Sequence, residues 1–337
     1  MLDNTEETTP FWIPRTLHTI SATLEAGFRV DDNLGGAHSI VFGGYGAQFM
    51  GATRGFNAGG GIFAYYNYTY ANEFNAYFGI FPRSAWIAKY PRSFFREDYL
   101  FLHPEINGAM LQYSGESGVI EGYAEATLEH FGADLRNATD EFYALFGGEI
   151  KIWDLLFFGA NGALYHHQDD RILSQDNQNT YLMDRVLYGA HLGLDLRGFK
   201  AVGEIFDSAE LKVALLGQSE RKRQSDKGFA PFYNGIGGEV SARLQYKGFG
   251  VEDIYYFGSG QMKYFGEYGE KVYDGFPLYQ GAFNTINIFY EYKSEFLGVE
   301  VGFRFYNTGK NLSKFAHQQY INLHFDLRKL LKARQIN

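Results

Sequence analysis

Val186–Arg197 reads VLYGAHLGLDLR. Val186, Tyr188, Ala190, Leu192, Leu194 and Leu196 fall on one parity, His191, Asp195 and Arg197 on the other. A period of two places the two sets on opposite faces of a β-strand. The pattern recurs along the chain. Ile20, Ala22, Leu24, Ala26, Phe28 and Val30 oppose Ser21, Thr23, Glu25, Gly27 and Arg29. Val240, Ala242, Leu244 and Tyr246 oppose Glu239, Ser241, Arg243, Gln245 and Lys247. Val299, Val301, Phe303 and Phe305 oppose Glu300 and Arg304, and Ile321, Leu323, Phe325 and Leu327 oppose Asn322, His324 and Asp326.

A soluble sandwich also alternates, with its polar residues facing water. Two features favour a membrane crossing instead. The strands run about 10–14 residues, as a tilted crossing needs. The connections also alternate between short and long, like the turns and outer loops of a membrane barrel. Short ones fall at Asp31–Ala37, Asn72–Glu73, Gly115–Gly118, Trp153–Asp154, Gly198–Lys200, Gly248 and Ser294–Leu297. Long ones fall at Gly51–Gly60, Ser84–Ile106, Leu128–Asp140, Asp169–Asp184, Gly217–Asn234, Met262–Asn284 and Asn307–Gln318.

The expected fold is therefore all-β: one transmembrane, antiparallel, up-and-down β-barrel over residues 1–337. Fifteen strands can be read directly, and closure asks for an even number. A short first strand around Thr8–Arg15 would make 16; fourteen is the alternative count. Residues 1–10 read as a polar N-terminal segment without the basic and apolar regions of a signal peptide, so the sequence reads as a mature chain whose leader has been removed. Residues 328–337 read as a polar tail.

Composition agrees. The chain has 32 Phe, 26 Tyr and 3 Trp, the Tyr-rich supply that interfacial girdles use. Mean hydropathy is −0.28, as expected where only alternate strand residues meet lipid. The absence of cysteine excludes disulfides and thiolate chemistry. A net charge of −9 argues against a nucleic-acid partner. No cofactor is expected.

Charge on the inward parity is the main functional signal. A charge facing lipid is costly, about 2–4 kcal/mol for Arg or Lys at the midplane. The expected pore lining is Glu25, Arg29, Arg83, Glu121, Glu125, Glu149, Lys151, Asp195, Arg197, Glu239, Arg243, Glu300 and Arg304. Glu204, Glu210, Glu291 and Asp326, with Lys212, Lys247 and Lys293, are assigned inward by the same parity. A barrel of about 16 strands is too wide for side chains alone to fill. The lining should therefore meet water, although salt-bridge filling of a closed interior is the competing arrangement. Acids and bases nearly balance, so a weak cation preference is expected, with Glu121, Glu125 and Glu149 carrying it and Arg83 as counter-charge.

Ser84–Ile106 is long and carries apolar residues that need burial. Either it folds inward as a constriction, bringing Trp86, Lys89, Arg92, Arg96, Glu97 and Asp98, or it caps neighbouring loops. His166 and His167 are adjacent on a strand, so they face opposite sides and cannot chelate together. The acidic loop after them lacks calcium-loop spacing. No metal site and no catalytic residue is expected, since Ser259 lacks a nucleophile-elbow context.

One segment carries a family resemblance. After Gly250 the chain reads VEDIYYFGSGQMKYFGEYGEKVYDGFPLY, to Tyr279. It resembles a recurring segment of porin-like outer-membrane barrels of the Bacteroidota, in which Gly…Gln-Met and Tyr-x-Gly-x-Pro-aromatic-Tyr follow a strand. Gly79–Arg83 with Tyr90–Pro91, Pro104–Tyr113 and Phe315–Gln319 look similar. The polar C-terminal tail and the Tyr/Glu-rich strand Ile120–Thr127 depart from the pattern. The resemblance implies a pore in the bacterial outer membrane that passes small polar solutes or ions without enzymatic activity. Lipid of the outer membrane, including its lipopolysaccharide leaflet, would surround it, and a homo-oligomer or a surface lipoprotein would be its protein partner. A plugged barrel that docks a surface lipoprotein or larger assembly is the alternative.

Overall fold

The computed structural model describes residues 2–4, 15–16, 19–50, 59–95, 103–130, 139–169, 181–224, 228–259, 264–265, 273–274, 281–308 and 314–325. They form sixteen antiparallel strands in one sheet. In chain order these are β1 Leu2–Asn4, β2 Thr19–Asp31, β3 Gly36–Phe49, β4 Gly59–Tyr70, β5 Phe74–Pro82, β6 Glu105–Ser117, β7 Ile120–His130 and β8 Thr139–Ile152. There follow β9 Leu156–Asp169, β10 Tyr181–Asp195, β11 Ser208–Gln224, β12 Tyr233–Tyr246, β13 Phe249–Gly258, β14 Phe283–Lys293, β15 Leu297–Thr308 and β16 Lys314–Phe325.

Each strand from β2 to β16 pairs with the next. The ring closes through β1, which pairs with β16 (Leu2↔Gln319) and with Arg15–Thr16 on the approach to β2 (Leu2↔Thr16). Leu2–Asn4 supplies the sixteenth strand among the described residues; of the first strand expected around Thr8–Arg15, the residues before Arg15 lie outside the described ones. β1 is three residues long, so closure is made at one end of the seam. Below it, among the described residues, β2 carries a ladder to β3 alone.

Up to Gly258 the period-two reading holds in three dimensions. Leu24, Phe28, Phe78 and Leu192 are exposed on the outer face, while Tyr143, Tyr165 and Gln218 are buried on the inner one. The short turns use the left-handed backbone that tight hairpins require. In the Lys247–Gly248 turn φ is +49° and +84°, and a Cβ on Gly248 would stand 2.5 Å or less from the Glu291 carbonyl.

Two connections differ from the sequence reading. The turn expected at Gly198–Lys200 is longer: a 3-10 turn at Leu196–Gly198 and a four-residue helix at Lys200–Gly203 separate β10 from β11. Glu204 therefore lies beside this helix, paired with Lys200 and outside the sheet, and does not line the lumen. Lys247 likewise sits in a turn. The long loop expected at Gly217–Asn234 is mostly strand, because β11 runs on to Gln224. Its end reads Glu220, Arg221, Lys222, Arg223 in sequence, an unbroken charged run that hides the alternation from a hydropathy reading.

Candidate functional site

The described part of the loop after β5 packs against inner-face side chains of the strands. Its root is Arg83. Nη1 donates to Glu129 Oε2 at 2.8 Å, Nη2 bonds Glu129 Oε1, and Nε and Nη2 donate to the carbonyls of His103 (2.7 Å) and Glu105 (2.9 Å). Both side chains of this pair are nearly fully buried. The guanidinium also lies 4.7 Å from the Trp86 ring centroid. Arg83 is therefore a loop anchor, and its charge does not face open water.

One turn further on, Glu125 of β7 holds the loop backbone. Its Oε2 accepts from Ile87 N–H at 2.7 Å and from Gln112 Nε2 at 2.8 Å, and Tyr90 O–H donates to Oε1 at 3.1 Å. Gln112 in turn donates to the Ala85 carbonyl at 2.7 Å. Glu125 is 3% exposed. The loop then crosses the lumen. Lys89 Nζ stands 3.7 Å from Glu149 Oε1 on β8, and Arg92 Nη2 reaches Glu252 Oε2 on β13 at 2.9 Å.

Aromatic packing holds this path. Trp86, Tyr90, Phe94 and Phe95 form one chain of ring contacts, and Phe95 meets Tyr143, whose ring lies tilted 4.5 Å from that of Tyr165. Fully burying a side chain of this size contributes roughly 1.5–3 kcal/mol. The wall makes room: a Cβ on Gly147 would lie 2.7 Å from the Ala88 Cβ. Arg96, Glu97 and Asp98 lie outside the described residues.

Beneath the loop, on the side of the short turns, is a cavity of about 320 Å³. Its walls carry the acids Glu121, Glu149, Asp195, Glu210, Glu239 and Glu252 and the bases Lys89, Arg92, Lys151, Arg197, Lys212 and Arg243, six of each. Strand register orders them. Asp195, Glu210, Arg243, Glu252, Asn287 and Arg304 are successive ladder partners around the inner wall. Several are paired. Lys151 bridges Asp195 (3.1 Å) and Glu121 (3.6 Å), Arg197 is held bidentate by Asp195, and His191 meets Glu149 at 3.0 Å. The surface can therefore present both signs to a solute at once.

The other residues expected to line the pore are spread more widely. Glu25 is half-buried on β2, and Arg29 is exposed near the end of that strand beside Asp31. Glu300 accepts from Tyr320 and Asn322, and Arg304 donates toward Gln318. Sequence reading missed a second inward network toward the long-loop end. Arg185 and Glu220 pair at 3.0 Å with both side chains fully buried, and Tyr165 donates to Glu141 at 2.6 Å. Arg185 has the inward parity of Leu187 and Gly189, which was the available signal. His166 and His167 part as expected, to Asp184 on the outer face and Glu141 on the inner one.

No protein-family model matches the chain. No curated protein matches it. Solved structures do. OmpF of Salmonella typhi, in complex with daunomycin, superposes with a TM-score of 0.51 at 10% identity, covering 94% of this chain and 93% of that one. OccD3 (OpdP) of Pseudomonas aeruginosa covers 93% of this chain and 88% of its own at 9% identity, with a TM-score of 0.39. The fold is thus that of outer-membrane porin barrels.

Proposed function

We propose that this chain is a porin-like channel of the bacterial outer membrane that passes small polar solutes or ions by passive, weakly selective diffusion. The observation that carries the reading is the charged cavity under an inward loop, six acids facing six bases in about 320 Å³. A wall of fixed charges of both signs favours hydrated, polar solutes over apolar ones. The exposed apolar outer face supports a lipid surround. The resemblance of 250–279 to porin-like barrels supports placement among those of the Bacteroidota; residues 260–263, 266–272 and 275–279 of that segment lie outside the described ones. No enzymatic role is proposed.

A plugged barrel that docks a surface lipoprotein is the second reading, and the buried Arg185–Glu220 and Arg83–Glu129 pairs favour it. Both are ion pairs buried on the inner side toward the long loops. Recording from purified protein in a planar bilayer separates the two. Discrete ionic conductance supports the channel. A silent barrel that retains its fold refutes it.

A further inference from the structure

The charges of the cavity wall are not equally committed. Of its six bases, Lys89 is paired with Glu149, Arg92 with Glu252, Lys151 with Asp195 and Glu121, Arg197 with Asp195, and Arg243 with Glu291 at 3.9 Å. Those contacts engage four of the six acids, and a fifth, Glu239, is buried with a partner of its own. Two charges of opposite sign remain. Among the described residues, Lys212 makes no ion pair and no hydrogen bond, and Glu210 accepts only from the Ser208 hydroxyl, at 3.4 Å.

Both stand on β11, two residues apart and so on one face, with about 7 Å of strand between them. Both are half-buried in the lining of the cavity. Ladder register explains why they are left over. The direct neighbours of Lys212 are Gly193 on β10 and Ser241 on β12, which carry no charge. Glu210 stands between Asp195 and Arg243. Asp195 has the same sign and is taken by Arg197 and Lys151, while Arg243 lies with Gln245 and Glu291.

A solute of one charge gains from one of these two groups and meets a like charge beside it. An uncharged solute makes only the weaker neutral hydrogen bonds with either. A compact zwitterion, its ammonium and carboxylate a few bonds apart, answers both at once. A cavity of about 320 Å³ has room for a solute of amino-acid size. We infer that the cavity selects compact zwitterions of the amino-acid class, taking the ammonium group at Glu210 and the carboxylate at Lys212. The inference rests on the channel reading above and adds the solute class to it.

Serine and glyceramide are isomers without net charge at neutral pH, and only serine is a zwitterion. Uptake of each, labelled, into liposomes carrying the full-length protein separates the site from the channel, with the flux into protein-free liposomes subtracted. At concentrations too low to saturate, serine should enter about tenfold faster or more, the factor that a single charge-assisted contact is worth. Lys212→Met and Glu210→Gln should each bring serine to the rate of glyceramide in the same variant, while heat-modifiable gel migration stays native. Equal rates for the two solutes in the wild type, or a serine preference that survives in either folded variant, overturn the zwitterion site and leave the channel reading in place. Entry of neither solute overturns the channel reading and the site with it.

Discussion

Arg92 Nη2 lies 2.9 Å from Glu252 Oε2, a contact between residues 160 apart in sequence that carries the loop tip from one wall of the lumen to the other. Both side chains are partly exposed, so the pair adds under about 1 kcal/mol to folding. Its weight falls on the aperture. Arg92→Ala or Glu252→Gln should release the tip, raise single-channel conductance and leave the melting temperature nearly unchanged. Conductance equal to wild type in both variants would show that the latch does not set the aperture.

Glu121 and Glu125 are four residues apart on one face of β7, yet their surroundings differ. Glu121 is half-exposed at the cavity wall with Lys151 at 3.6 Å. Glu125 is buried under three donors from the loop and β6. Glu121→Gln should lower the cation/anion permeability ratio at low salt, and the effect should fade near 1 M, where the Debye length is about 3 Å. Glu125→Gln turns part of an acceptor into a donor and should cost about 1–3 kcal/mol, with loosening of the loop. Reversal potentials and melting curves on the two single variants separate these roles. Matching effects from both would contradict the assignment.

Alternation of apolar and polar residues sets the strands, and loop length sets their direction, so the barrel was legible before any coordinates. The closing strand was not: Leu2–Asn4 is too short and polar to show a period. The lumen wall was legible wherever one parity was apolar, as around Asp195 and Arg243. It failed where both faces carry polar groups, at Arg185 and Glu220. Parity also assigns a side without an environment. It places Glu125 inward but cannot show that a loop 35 residues away in sequence covers it.

Arg185 and Glu220 are fully buried on neighbouring strands at 3.0 Å. Truncating one member leaves the other charge uncompensated, a loss of about 3–5 kcal/mol. Arg185→Ala should therefore destabilise the barrel strongly, whereas the apolar pair Arg185→Met with Glu220→Leu should recover most of the loss. Urea unfolding in micelles measures both. A double variant as unstable as the single one would mean that the network around the pair matters more than the pair.

Asp32 opens the turn between β2 and β3, outside the membrane span. Its Oδ1 accepts from Gly36 N–H at 2.8 Å and Leu34 N–H at 2.7 Å. These backbone donors, that of Gly36 first, hold its carboxyl below the usual range. A depressed folded pKa means that the contribution is present above the unfolded value, near 3.9, and is lost as pH falls through the folded one. Carbonyl-detected NMR titration should place Asp32 below the other exposed carboxylates, and Asp32→Asn should remove the acid-sensitive step in the turn's amide shifts. An Asp32 midpoint at the ordinary aspartate value would refute this.

The seam is where the sheet should open first. β10 is flanked by full ladders to β9 and β11, and Tyr165, Met183 and Arg185 pack fully buried along its inner side. Among the described residues, β2 has its ladder to β3, while β1 reaches Arg15–Thr16 and Gln319 to His317. Leu24 and Phe28 are each 80% exposed, so packing adds little on the outer side either. Opening free energy follows the number of ladders and buried contacts that must break. Amides in the middle of β2 should exchange with deuterium well before those of β10, and removing β1 by deleting Leu2–Asn4 should spread fast exchange into β16. Equal protection of β2 and β10 would mean that the seam is bridged along its whole length.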